Sequence, residues 1–177
     1  MVAVALVSIL GTDRIGLVAA VADHLFAAGI NLRDTTFAVL GQGAEFTSVV
    51  ELPDGLTAGR LQGELTQLPA LTGAQIKVVP YAFSPTPGPT GKVTHLIEIT
   101  GGDQLGLIAR LADVFTQFGA NIVRLDAQKL DELRGGRSVT RFQVSVAPDR
   151  ADGCIAAVTN TAGTMGLACR VVAALGT

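Results

Sequence analysis

Cysteine is scarce in this sequence: two residues in 177, Cys154 and Cys169, both in the last quarter. They are too few for a disulfide framework and form no CxxC metal pair, so the expected setting is a reducing cytoplasm. Charge is scarce as well, at 16% of residues, with 13 Lys and Arg against 15 Asp and Glu. No basic cluster stripes any predicted helix, which argues against direct nucleic-acid binding. Long apolar runs are missing, because Asp13, Arg14, Asp23 and His24 break the most hydrophobic region before it reaches a bilayer span. The opening MVAVALVSIL has no basic leader and reads as a strand rather than a signal peptide.

Catalytic constellations are lacking too. His24 and His95 fall on a predicted helix and a predicted strand with no nucleophile motif beside them, and no GxSxG, HExxH or P-loop occurs. The expectation is a protein that is not an enzyme, with no catalytic residues, no metal and no cofactor.

What the sequence does have is apolar residues, 49% of the chain, enough for a folded core. It also has an internal repeat. GTDRIGLVAAVADHLFAAGINL, starting at Gly11, returns ninety positions later as GGDQLGLIARLADVFTQFGANI, starting at Gly101. Between the copies lies SPTPGPTGK, whose prolines and glycines deny it a regular element. The expected organisation is a first domain over residues 1–83, a linker over 84–91 and a second domain over 92–177.

Each copy reads as βαββαβ. Val2 to Leu10 is almost wholly apolar and is expected to be a central strand with both faces covered. Leu17, Val18, Val21, Ala22, Leu25 and Phe26 recur at helical spacing, as do Leu107, Ile108, Leu111, Ala112 and Phe115. Gly29 and Gly119 stand where a left-handed residue would close these helices. A hairpin pairs Leu32 to Leu40 with Ala44 to Leu52 around GQG, and its counterpart pairs Ile122 to Leu130 with Ser138 to Ala147. Asn121 to Phe142 is six positions longer than Asn31 to Phe46, and the excess carries DELRGG. A second helix through Leu61, Leu65 and Leu68, matched by Ile155, Val158 and Met165, leads to final strands near Ile76 to Val79 and Ala168 to Val172. The fold class is α+β, with two ferredoxin-like βαββαβ units in tandem and antiparallel four-stranded sheets bearing helices on one face.

The turn from first strand to first helix is the candidate site. It gathers unpaired backbone N–H groups and the positive end of the helix dipole, which suit a carboxylate. Asp13 and Asp103 would either cap the helix or accept an ammonium group. The glycines are either geometry or room for close approach. Joint recurrence of these residues favours a site.

The pattern G-x-D-x-x-G-L/I, followed by GxN at the helix end on a βαββαβ unit, resembles the ACT domain, a small amino-acid-sensing regulatory module. The resemblance covers nearly the whole chain. It implies units that pair side by side, with a small free amino acid, glycine or serine, held at the pair interface. The implied ligand-binding residues are Gly11, Thr12, Asp13, Gly16 and Asn31 in one copy, and Gly101, Gly102, Asp103, Gly106 and Asn121 in the other. It further implies a homodimer and a partner protein, such as a transcriptional activator or a metabolic enzyme. The alternative is a pairing module that senses no small molecule. In amino-acid-binding members a polar side chain often stands where this sequence has Gly11 and Gly101, and many carry proline where it has Ile15 and Leu105.

Overall fold

The computed structural model describes residues 3–84, 86, 88–130 and 136–174. Contacts divide the chain into two compact units, Met1–Pro85 and Thr86–Thr177. The first runs β1 (Ala3–Thr12), α1 (Leu17–Ala27), β2 (Leu32–Leu40), β3 (Gly43–Leu52), α2 (Ala58–Thr66) and β4 (Gln75–Pro80). The second repeats the order with β5 (His95–Gly102), α3 (Leu107–Gln117), β6 (Asn121–Lys129), β7 (Arg137–Ser145), α4 (Pro148–Thr164) and β8 (Ala168–Ala173). Within the Pro/Gly-rich connection, Pro89–Gly91 forms one 3-10 turn where no element is expected.

Each unit is a four-stranded antiparallel sheet, ordered β2-β3-β1-β4 and β6-β7-β5-β8. The first strand of each copy therefore sits inside its sheet, as its apolar composition requires. The expectation that both faces of β1 are covered is not met. Ala5, Val7 and Ile9 are sealed under the helices, whereas Leu6 is half-buried and Leu10 is 46% exposed. Helices lie on one face only, so an all-apolar strand leaves half its side chains on the open face.

On α1 the residues Leu17, Val21 and Leu25 are buried, and on α3 the equivalents Leu107, Leu111 and Phe115. Each such side chain taken out of water contributes about 1.5–3 kcal/mol. Val18 and Phe26, grouped with this face by spacing, point outward, with Phe26 82% exposed. One position along a helix is a rotation of about 100°, enough to carry a side chain off the sheet-facing line. For the same reason α4 buries Ala151, Cys154, Val158 and Ala162, with Cys154 rather than Ile155 facing inward.

Both helices α1 and α3 close as their glycines suggest. Gly29 and Gly119 have φ of 71° and 63°, and the following amides, of Ile30 and Ala120, reach back to the carbonyls of Leu25 and Phe115 at 2.8 Å.

The repeat loses its register in the hairpin. Gly11 faces Ala44 while Gly101 faces Ser138, so the offset between copies grows from 90 at β2 to 94 at β7. The second hairpin is thus longer by four residues, not six. Thr140 is the counterpart of Phe46, since they face Ile99 and Ile9, and Phe142 is the counterpart of Ser48. Residues 131–135, which carry most of the DELRGG insertion, lie outside the described residues.

The shift redistributes core bulk. In the first unit Phe46 fills the core, and the buried Ser48 hydroxyl meets Thr35 at 2.8 Å. In the second the aromatic ring has moved one pleat along the strand, to Phe142, which packs edge-on against Phe115 with centroids 5.4 Å apart.

Candidate functional site

The turns between β1 and α1 and between β5 and α3 have the same backbone. Gly16 and Gly106 occupy the N-cap positions with φ of 88° and 81°, a left-handed conformation that an L side chain adopts only with strain. Neither helix has a side-chain cap, so Asp13 and Asp103 do not cap them. Three residues ahead of the N-cap, they leave the first-turn amides open. The amides of Ile108 and Ala109 find no backbone acceptor among the described residues, as expected at a helix start.

In the second unit this turn borders a pocket of about 520 Å³. Its floor and wall come from three elements: the turn and first residues of α3, the end of β6 at Ala127, Gln128 and Lys129, and Ser138 and Thr140 of β7. Lys129 Nζ lies 2.5 Å from Asp103 Oδ2, with both side chains more than half exposed. The mouth therefore presents a positive and a negative charge side by side, beside two open amides. Leu105, fully exposed, and Ile108 add apolar surface.

The structure sorts the expected site residues. Asp103 and Gly106 line the pocket. Gly101 and Gly102 end β5, where their carbonyls lie 3.5 and 3.3 Å from the Ser138 hydroxyl. A side chain at Gly11 would press on Ala74 Cβ at 2.9 Å, and one at Gly101 would meet Leu167 Cδ2 at a backbone φ of 157°, so local structure accounts for both glycines. Thr12 is exposed at the end of β1 and faces Gly43. Asn121 opens β6, and its side-chain amide donates to the Thr90 carbonyl at 2.9 Å. Eight residues of strand separate it from Lys129, about 26 Å at ~3.3 Å per residue, so it stands at the far end of β6 from the pocket. Asn31 is exposed just ahead of β2.

The first unit's turn differs in its surroundings. Asp13 donates its backbone amide to Gln42 O at 3.0 Å, and Arg14 reaches the Thr72 carbonyl at 3.3 Å. Where the second unit has Lys129 beside Ser138, the first has Val39 beside Ala44. Where the second has Ala127 beside Thr140, the first has Phe37 beside Phe46. Lys129, Ser138 and Thr140 were not anticipated as site residues. Their signal was the chemical contrast at these four paired positions, hidden by the change of offset.

The histidines sit away from the pocket. His24 Nε2 is 3.5 Å from Glu64 Oε2, and His95 Nδ1 is 3.0 Å from the Thr94 hydroxyl. Among the described residues no helix is long and apolar enough to cross a membrane.

Comparison with known proteins fits this geometry. Residues 3–79 match the family model of the ACT domain. No curated protein sequence matches the chain significantly. Among solved structures, an unknown protein from Galdieria sulphuraria superposes with a TM-score of 0.75 at 21% identity, over 99% of this chain and all of that one. A proposed glycine cleavage system transcriptional repressor superposes with a TM-score of 0.64 at 16% identity, over 100% of this chain and 99% of the other. At these identities the likeness establishes the fold, along the full length. The family match covers the first unit and the second unit repeats its βαββαβ order, so the chain carries two ferredoxin-like βαββαβ units in tandem, the first of them similar to the ACT domain.

Proposed function

We propose that the chain is an amino-acid-binding regulatory protein that acts on a partner protein in amino-acid metabolism, in the manner suggested by its structural similarity to a proposed glycine cleavage system transcriptional repressor. The observation that carries this reading is the second unit's pocket, where Lys129 and Asp103 offer the two charges a zwitterion needs. The ligand's carboxylate meets Lys129 and the amides of Ile108 and Ala109. Its ammonium group meets Asp103. Inserting a zwitterion exchanges one exposed ion pair for two charge-assisted contacts, which is favourable when the pair itself is solvated and worth little.

A ligand this small binds modestly. Even about 1.5 kcal/mol per heavy atom caps glycine near micromolar affinity. Coupling to a partner protein of about 1–3 kcal/mol would suffice for a metabolic switch.

A second reading, a pairing module without a ligand, draws support from the first unit. There Ile15, Val18 and Phe26 on the α1 side, with Phe37 and Val39 on β2, form exposed apolar surface. Such surface suits a protein partner or a second copy of the chain. A thermal-shift screen of the twenty amino acids separates the readings. A rise in melting temperature with one or a few of them supports sensing. No rise with any leaves the pairing module.

A further inference from the structure

The geometry points to one amino-acid site per chain, confined to the second unit and selective for a ligand whose short side chain makes a hydrogen bond. This rests on the amino-acid-binding reading above and adds to it which copy binds and what distinguishes the ligand.

Confinement follows from the paired positions under the turn. Phe37 and Phe46 put two phenyl groups beneath the first turn, with Phe46 1% exposed in the core. Ala127 and Thr140 put a methyl and a hydroxyl at the same place in the second. The volume so released is the pocket, and the ring that would have filled it stands one pleat deeper as Phe142. The charge differs as well, because Val39 stands where the second unit has Lys129, and the first turn's own cation, Arg14, is directed to the Thr72 carbonyl.

Selectivity follows from Thr140. Its residue is only 4% exposed, it lines the pocket, and no side-chain hydrogen bond ties its hydroxyl to another described residue. The hydroxyl is open to the pocket rather than sealed, so a ligand that displaces the water there must supply a hydrogen-bond partner in its place. Ser138, two residues back on the same face, lies about 7 Å nearer the mouth, close to Lys129. A zwitterion held at the mouth by Lys129 and Asp103 reaches Thr140 only through its side chain. Serine's hydroxymethyl group is the shortest side chain that offers the Thr140 hydroxyl a hydrogen-bond partner. Glycine has no side chain to send, and alanine's methyl group would leave the hydroxyl dry and unpaired.

The test is isothermal titration calorimetry of the full chain with L-serine and L-alanine. One site per chain is expected, with serine bound about 3- to 10-fold more tightly than alanine, the ratio that one net hydrogen bond supplies. Thr140→Val keeps the shape and removes the hydroxyl, and is expected to bring the two affinities within twofold. Ala127→Phe, checked for folding by circular dichroism, is expected to abolish binding by restoring the first unit's ring; should it not fold, Thr140→Val alone decides. Two sites per chain, equal affinities in the wild type, a ratio unchanged in Thr140→Val, or binding that survives in folded Ala127→Phe would each overturn the inference while amino-acid sensing stands. Failure of all twenty amino acids to bind would overturn sensing itself and the inference with it.

Discussion

Replacing Lys129 by methionine separates what its charge does for the fold from what it does for a ligand. Methionine keeps the length of the side chain and loses the ammonium group. The Lys129–Asp103 pair is 2.5 Å long, but its side chains are 78% and 55% exposed, so water screens it heavily. An exposed pair of this kind contributes about 0–1 kcal/mol, and Lys129→Met is expected to shift the melting temperature by no more than a few degrees. Binding is another matter. If a ligand carboxylate accepts a charge-assisted hydrogen bond from Lys129, its loss costs about 1.5–3 kcal/mol, or roughly 10- to 150-fold in Kd. The assay is calorimetry with L-serine on the wild type and the variant, beside thermal denaturation of both. A Kd unchanged within twofold would refute the role given to Lys129. A large loss of stability without ligand would show that the ion pair supports the fold instead.

Other expectations follow from the same geometry. Gly106→Ala places a side chain at φ 81° where its Cβ meets nothing within 4 Å, so the cost is purely conformational, about 1–2 kcal/mol, read as a lower denaturation midpoint; an unchanged midpoint would show the turn relaxing out of the left-handed region. Phe46→Ala removes a ring that is 1% exposed and is expected to destabilise by about 3–5 kcal/mol in urea denaturation, with a loss below about 1 kcal/mol contradicting the core assignment. Burial pushes the Cys154 and Cys169 thiols up from 9.0, with the Thr159 hydroxyl partly offsetting the effect at Cys169. A raised pKa means that the stability held by the protonated thiols is present below about pH 9 and lost as pH rises through the folded values. Wild type minus a Cys154→Ala, Cys169→Ala double variant should therefore show stability falling above that pH, and a flat difference would contradict it.

Much of the architecture is legible in the sequence because local chemistry and global fold agree. Gly29 and Gly119 mark a left-handed helix end, and the ninety-residue repeat carries both. The left-handed N-caps at Gly16 and Gly106 came from the structure, since the sequence offered those glycines only as turn geometry or room for a ligand. Burial was harder to read. The run from Val2 to Leu10 is apolar throughout, and nothing in that run says that helices cover one sheet face only. Phe26 reads as core by its spacing, yet its side chain is 82% exposed.

The site was half legible for a related reason. The turn residues lie in the part of the repeat that keeps a constant offset, so Asp103 and Gly106 stand out. Lys129, Ser138 and Thr140 belong to a hairpin whose copies differ by four residues, and only strand register shows that Thr140 replaces Phe46. Matching phenylalanine to phenylalanine, 46 to 142, hides the contrast that opens the pocket. Duplication kept the turn in both copies, while the residues beneath it diverged.

The measurement that tests the central claim most directly is a titration of the ¹⁵N-labelled chain with L-serine, followed by amide chemical shifts. The account predicts saturable shifts at Asp103 to Ala109, at Lys129, and at Ser138 and Thr140, with Asp13 to Ala19 unmoved. Shifts centred on Asp13 to Ala19, or equal shifts at both turns, would contradict it.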